Sequence, residues 1–257
     1  MSLQPFFSSS SKVWDSIEWV FGIEECGYAG WEISADGNYR MDNPDNVERI
    51  REVLGSTTLD VSVHAPYSDL NLASLNYPIY RESIRQMSRC VEAAAEFTDR
   101  VTIHPGYLSP AAKLVPEHVW DLHKAALAEI GAVARDVGVL ATLENMPDIP
   151  NFFCQVPDEL FGMADGIEGV GITLDVGHAH TMGMVDAFLR RIGEVDHVHI
   201  HDNDGTRDAH LALGEGTIDW KDVGSRVAAS YSGICVVEGR NLDEARTSLE
   251  AFRGWFS

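Results

Sequence analysis

Six residues able to bind a divalent cation each close a short apolar, β-branched run. His64 ends Val-Ser-Val-His, His104 ends Val-Thr-Ile-His, Glu144 ends Thr-Leu-Glu, Asp175 ends Thr-Leu-Asp, His199 sits in His-Val-His-Ile-His, and Glu238 ends Val-Val-Glu. A lone histidine or carboxylate at such a place is ordinarily a hydrogen-bonded structural residue or an ion-pair partner. The joint pattern changes the reading: mixed imidazole and carboxylate suits Zn²⁺, Mn²⁺ or Fe²⁺, and a cation relieves the repulsion between neighbouring carboxylates. Two close pairs extend the set. Asp175 precedes His178 by one helical turn, and in Asp208-Ala-His210 alternation along an extended segment would turn both side chains the same way.

These residues are scattered along the chain, so a fold must gather them. The runs recur at intervals of about thirty residues with helical spacing between them, the alternation of a parallel sheet. Strands are expected at 5–9, 30–34, 59–64, 100–104, 139–144, 170–175, 195–201 and 234–238. Helices are expected at 13–26, 44–54, 77–97, 116–137, 157–164, 185–192, 220–229 and 243–255, several opened by proline. Eight of each in 257 residues predict a single-domain (β/α)₈ TIM barrel over 1–257, a fold that typically takes about 250 residues. In that architecture the carboxyl ends of the strands converge on one face, where active sites are built. An open doubly wound sheet shares the alternation, but no Gly-rich nucleotide loop follows the first run and no P-loop lysine occurs.

Hydrophobic residues make up 45% of the chain, enough to fill a core. Forty acidic residues against 19 basic ones give a net charge of −21, which disfavours nucleic acid as a partner. With four lysines among those basic residues, the same surface also suits a high-salt habitat. No run approaches the roughly twenty apolar residues that cross a bilayer, so no membrane is expected. Cys26, Cys90, Cys154 and Cys235 form no C-x-x-C pair and read as buried thiols of a cytoplasmic protein. A homo-oligomer is compatible with the sequence.

Other residues carry weaker signals. His118 and His123 fall on the fourth expected helix and are read as solvent-facing, and His197 as a packed barrel residue. His201 projects to the same side as His199. Trp31, Glu32, His201 and Arg240 are the candidates for substrate contact.

Taken together, these residues resemble the xylose isomerase-like barrels, which include sugar isomerases and epimerases, inositol-pathway enzymes and endonuclease IV. The likeness runs from Gly27-Tyr-Ala-Gly-Trp-Glu-Ile33 to Val-Val-Glu238. It implies that Glu144, Asp175, His199 and Glu238 bind one divalent metal, as in the epimerase branch. His64, His104, His178, Asp208 and His210 match the further ligands with which endonuclease IV holds three zinc ions, so one to three ions of Zn²⁺ or Mn²⁺ are implied. The segment Asp208-Ala-His-Leu-Ala-Leu-Gly-Glu-Gly is close to that nuclease, whereas Asp175-Val-Gly-His departs from its Asp-Thr-Cys-His. The implied activity is isomerisation or epimerisation of a small sugar, polyol or sugar phosphate, with Glu144 and Glu238 as catalytic residues moving protons beside a metal-polarised carbonyl. The rival readings are a zinc phosphodiesterase similar to endonuclease IV, acting on a phosphate ester, and a barrel that binds a metabolite or metal without turnover.

Overall fold

The computed structural model describes residues 3–256. Eight parallel strands close in sequence order: β1 (Gln4–Ser8), β2 (Gly30–Ser34), β3 (Asp60–His64), β4 (Arg100–Ile103), β5 (Leu140–Glu144), β6 (Val170–Asp175), β7 (His197–Ile200) and β8 (Ile234–Glu238). The ring shuts where β1 pairs with β8, Gln4 opposite Ile234 and Ser8 opposite Glu238. Around it run α1 (Phe21–Cys26), α2 (Pro44–Leu54), α3 (Tyr77–Ala94), α4 (Pro116–Val137), α5 (Pro157–Ala164), α6 (Val176–Thr181), α7 (Val185–Leu189), α8 (Trp220–Ser230) and α9 (Leu242–Trp255). The expected TIM barrel is the observed fold. The first helix is much shorter than expected, a 3₁₀ turn at Ile17–Val20 running into α1, and the short α6 was not anticipated. No helix among the described residues is long and apolar enough to cross a membrane.

The period of two along each strand divides the molecule into two interiors. Phe7, Trp31, Ile33, Val63, Ile103, Leu143, Leu174 and Val237 point outward into one apolar cluster shared with the helices. The opposite parity points into the barrel and is mostly polar: Glu32, Ser62, Thr102, Thr142, Thr173, His197 and His199 are all buried. Buried polar groups cost stability unless they are hydrogen-bonded, and here they bond to one another. Thr173 Oγ1 donates to Thr142 Oγ1 at 2.7 Å, and Ser62 Oγ donates to Glu32 at 2.9 Å. Phe6 and Val236 are apolar members of this interior, paired across β1 and β8, and Phe6 is admitted by Gly30, where a Cβ would stand 2.4 Å from the ring.

Two expectations are corrected by this packing. Trp31 does not turn toward the barrel mouth; its ring lies outside the barrel, edge-on to Trp19 at 6.1 Å and Tyr39 at 5.8 Å. His123 does not face solvent. It occupies the apolar stripe of α4 with Val119, Ala126, Leu127 and Ile130, and its Nε2 accepts the Gly106 N–H at 3.2 Å. Because Trp31 is 1% exposed, Trp31→Ala is expected to cost about 3–5 kcal/mol of folding free energy. Urea denaturation measures this, and an unchanged midpoint would show that the ring carries no packing load.

Candidate metal centre

Four strand ends supply the central donors. Glu144 closes β5, Asp175 closes β6, His199 lies on β7 and Glu238 closes β8. His199 Nδ1 lies 3.0 Å from Glu144 Oε1 and 3.4 Å from Glu238 Oε1, and ligand atoms of Asp175, His199 and Glu238 fall within 4.8 Å of one another. Asp175 Oδ1 caps α6 by accepting the His178 N–H at 2.6 Å, which sets His178 beside it. The other oxygen, Oδ2, is buried without a partner.

Two further groups flank this centre. On one side His64 Nε2, His104 Nε2 and Glu144 Oε2 converge, with His104 2.9 Å and His64 3.3 Å from the carboxylate. On the other, His178, His201, Asp208 and His210 each offer an atom within 4.8 Å of the rest. Backbone carbonyls fix two of the rings: His64 Nδ1 donates to Ala65 O at 2.9 Å and His178 Nδ1 to Asn145 O at 2.8 Å. Each therefore turns an unprotonated Nε2 to the site when neutral, the tautomer a metal ligand needs.

The loop bearing Asp208 and His210 is not the extended segment the spacing suggested. His210 has φ 45°, in the left-handed region, and still brings its Nε2 to 3.2 Å from Asp208 Oδ2. The loop is tied down by Asp202, fully buried, which sequence reasoning missed. Its carboxylate accepts the Gly214 N–H and the Trp220 indole N–H, both at 2.8 Å, while its backbone pairs with Leu211.

Beneath the centre, Glu32 reaches His197 Nε2 at 2.9 Å and His199 Nε2 at 3.0 Å. Burial would raise the Glu32 carboxyl, but His199 and His197 outweigh it and keep the pKa far below the usual carboxylate range. His199 Nε2 thus lies toward the ionised Glu32, and its Nδ1 faces the carboxylates of Glu144 and Glu238. Burial likewise opposes ionisation of Glu144 and Asp175, yet the surrounding imidazoles hold Glu144 well below its ordinary value and Asp175 at about 2.

A cavity of about 210 Å³ opens above these donors. Glu144, His178, Asp208, His210, Glu238, His64 and His104 line it, with Ser8, Ser10, Ser34 and Tyr67. Its apolar wall is Met146, Pro147, Ile149 and Phe152, from the loop after β5. That loop is pinned where Phe152 bridges to Tyr107 in the loop after β4. None of the four expected substrate contacts lines this space: Trp31 faces the helices, Glu32 is buried beneath the donors, His201 is fully buried beside Asp175 and Asp208, and Arg240 is held by Glu244 at 2.8 Å. The wall-forming Tyr67, Met146, Ile149 and Phe152 were not anticipated, since they belong to loops whose course no periodicity reports.

The donor set fits a divalent cation. Buried polar atoms are nearly always paired, yet His199 Nδ1, Asp175 Oδ2, Asp208 Oδ1 and both nitrogens of His201 lack hydrogen-bond partners. Burial lowers histidine basicity, but Asp208 and Glu238 reverse the sign at His210 and raise its pKa to about 9. Neighbouring carboxylates also overcome burial at His178 and His199 and raise both. Rings whose basicity is raised in this way hold protons that a ligating cation must displace. Calorimetric titration of chelator-stripped protein with Zn²⁺ at pH 7, in buffers of different ionisation heat, is expected to report release of more than one proton. Affinity should fall as pH falls from about 9. Binding without proton release would contradict this electrostatic arrangement.

Comparison with known proteins places the chain in a lineage. Residues 22–255 match the xylose isomerase-like TIM barrel family. An uncharacterised protein of Methanocaldococcus jannaschii is 31% identical over 239 residues, covering 90% of this chain and 81% of its own. The probable endonuclease 4 of Mycobacterium leprae is 32% identical over 209 residues, covering 76% of this chain and 80% of its own. Among solved structures, a D-tagatose 3-epimerase-like protein superposes with a TM-score of 0.91 at 30% identity, covering 98% of this chain and 96% of that one. On the strength of the family match, the closed barrel and the donors gathered at its mouth, the chain belongs to the xylose isomerase-like TIM barrel family.

Proposed function

We propose that the protein is a divalent-cation-dependent isomerase or epimerase of a small, unphosphorylated sugar or polyol, acting by proton transfer at a carbon beside a carbonyl. The observation that carries this reading is the meeting of Glu144 and Glu238, both within 3.4 Å of His199 Nδ1, on the wall of a small cavity. Glu144, Asp175, His199 and Glu238 would hold the cation. When bound, it supplies Lewis acidity that polarises a carbonyl oxygen and acidifies the neighbouring C–H. Glu144, kept ionised by the imidazoles around it, is suited to take that proton, and Glu238 to return one. His178 and His210, also on the wall, are placed to hold hydroxyl oxygens. Met146, Ile149 and Phe152 cover the carbon skeleton and keep bulk water from the abstracted proton.

The charge on the wall favours a neutral substrate. No lysine or arginine lines the cavity, while Glu144, Asp208 and Glu238 do. A phosphate monoester carries about −1.5 to −2 at neutral pH and would meet these carboxylates with no lysine or arginine on the wall to pair with it. Similarity to the D-tagatose 3-epimerase-like protein supports the same direction. The completeness of the donor set and the likeness to endonuclease 4 favour a second reading, hydrolysis of a phosphodiester. The acidic cavity and the net charge of −21 weigh against a polyanionic substrate.

Incubation with a panel of free ketoses in D₂O, with and without added Mn²⁺ or Zn²⁺, tests the proposal. Deuterium should enter the carbon next to the carbonyl, and free ketoses should outperform their phosphates. Glu144→Gln should lower kcat by about 10²–10⁴ while the protein stays folded. Wild-type turnover in that variant removes Glu144 from the chemistry. Cleavage of an abasic-site duplex without exchange into any ketose would replace the isomerase with the hydrolase.

A further inference from the structure

A second cavity, of about 280 Å³, adjoins the first and has no part in the chemistry above. Tyr67, His104 and Phe152 line both spaces, so these three side chains form the partition between them. The Tyr67 ring stacks on His104 at 4.6 Å, and Phe152 meets Tyr107 at 5.4 Å. Met87, buried on α3, closes the inner side, while Ser68 and Asp69 are exposed and form the outer edge.

Buried polar groups that take no part in the metal centre hold these walls. Asn71 grips the backbone of Tyr107 twice: its Nδ2 donates to Tyr107 O and its Oδ1 accepts the Tyr107 N–H, both at 3.0 Å. His123 holds the preceding residue through the Gly106 N–H. Burial lowers its pKa to about 3, so the ring is neutral and keeps a lone pair for that bond. On the other side Asp36 Oδ2 accepts the Ser68 hydroxyl at 3.1 Å and the Tyr67 N–H at 3.4 Å. The second cavity is thus preorganised, which lowers the cost of filling it.

Its lining selects a charge. Asp69 is the carboxylate at its edge, three aromatic rings make its walls, and no lysine or arginine lines either cavity. An anion there would be repelled by Asp69 and by the acidic first cavity. An ammonium group is attracted both by a carboxylate and by the faces of aromatic rings, and the methylenes that carry it can lie along an apolar surface while the charged end stays near water. Met87, Tyr107 and Phe152 supply that surface and Asp69 the counter-charge.

We propose that the second cavity receives an alkyl arm ending in an ammonium group, so that the substrate is a ketose joined to an aliphatic amine chain. The sugar occupies the first cavity, and the arm crosses the edge of the partition at Tyr67 and Phe152. This rests on the reading that the first cavity takes a sugar.

The probes are a ketohexose and its ethers bearing a butyl, aminobutyl or carboxypropyl arm at either end of the carbon chain. Calorimetry on Mn²⁺-loaded protein gives their affinities, and deuterium uptake from D₂O is followed in parallel. With the arm at one of the two ends, the aminobutyl ether is expected to bind about tenfold tighter than the butyl ether, and the carboxypropyl ether most weakly. Asp69→Asn and Tyr107→Leu should each reduce that preference about threefold or more. The preference is a ratio taken within each protein, so a general loss of affinity cancels. Asparagine also tolerates the left-handed backbone of residue 69, φ 61°, so Asp69→Asn keeps the loop. Deuterium uptake into the parent ketohexose, with no gain from an aminobutyl arm at either end, overturns the second site and leaves the isomerase standing. A preference for the aminobutyl arm that survives in both variants overturns the roles of Asp69 and Tyr107. The expected preference without deuterium uptake into any probe keeps the second site and removes the isomerase, and a protein that binds none of the probes overturns both.

Discussion

The structure depends on keeping ionised carboxylates inside a barrel that excludes water. Glu32, Glu144 and Asp175 are at most 1% exposed, and an unpaired buried charge costs several kcal/mol. The barrel meets this cost with imidazoles. Glu32 is shared between His197 and His199, and Glu144 is approached by His199, His104 and His64. His199 belongs to both sets, its Nε2 toward the deep carboxylate and its Nδ1 toward the mouth. The chemistry of the site begins with that orientation.

Strand parity and register deliver these groups to one level. Asp175 pairs across the sheet with His199, and Ser8 with Glu238, so the strand ends form a rim. What the strands cannot position, loops must. Asp202 knits the β7–α8 loop around its own carboxylate, and the Tyr107–Phe152 bridge holds the apolar wall over the cavity. The result is a space acidic on one side and apolar on the other, a pairing suited to a polyhydroxy compound whose oxygens meet a cation and whose carbons meet a dry surface.

The sequence carried the strand ends legibly because a β-branched run closed by His, Asp or Glu marks both the element and its orientation. Parity also contained the correction for Trp31, since it and Glu32 are adjacent on one strand and cannot share a face. The spacing of Arg240 and Glu244, one helical turn apart, foreshadowed their ion pair. His123 lies four residues after Val119 and four before Leu127, so its place on the buried stripe was readable too. The left-handed turn at His210, the knot around Asp202 and the wall from Met146 to Phe152 were not. Each depends on loop conformation, which long-range contacts decide and local pattern does not record.

The proposed chemistry requires one cation shared by side chains from four neighbouring strands. Anomalous diffraction at the zinc edge from a crystal soaked in Zn²⁺ tests it most directly. A peak is expected about 2.0–2.2 Å from His199 Nδ1 and from carboxylate oxygens of Glu144, Asp175 and Glu238. A crystal saturated with Zn²⁺ whose peaks all lie away from His199 Nδ1 would contradict it.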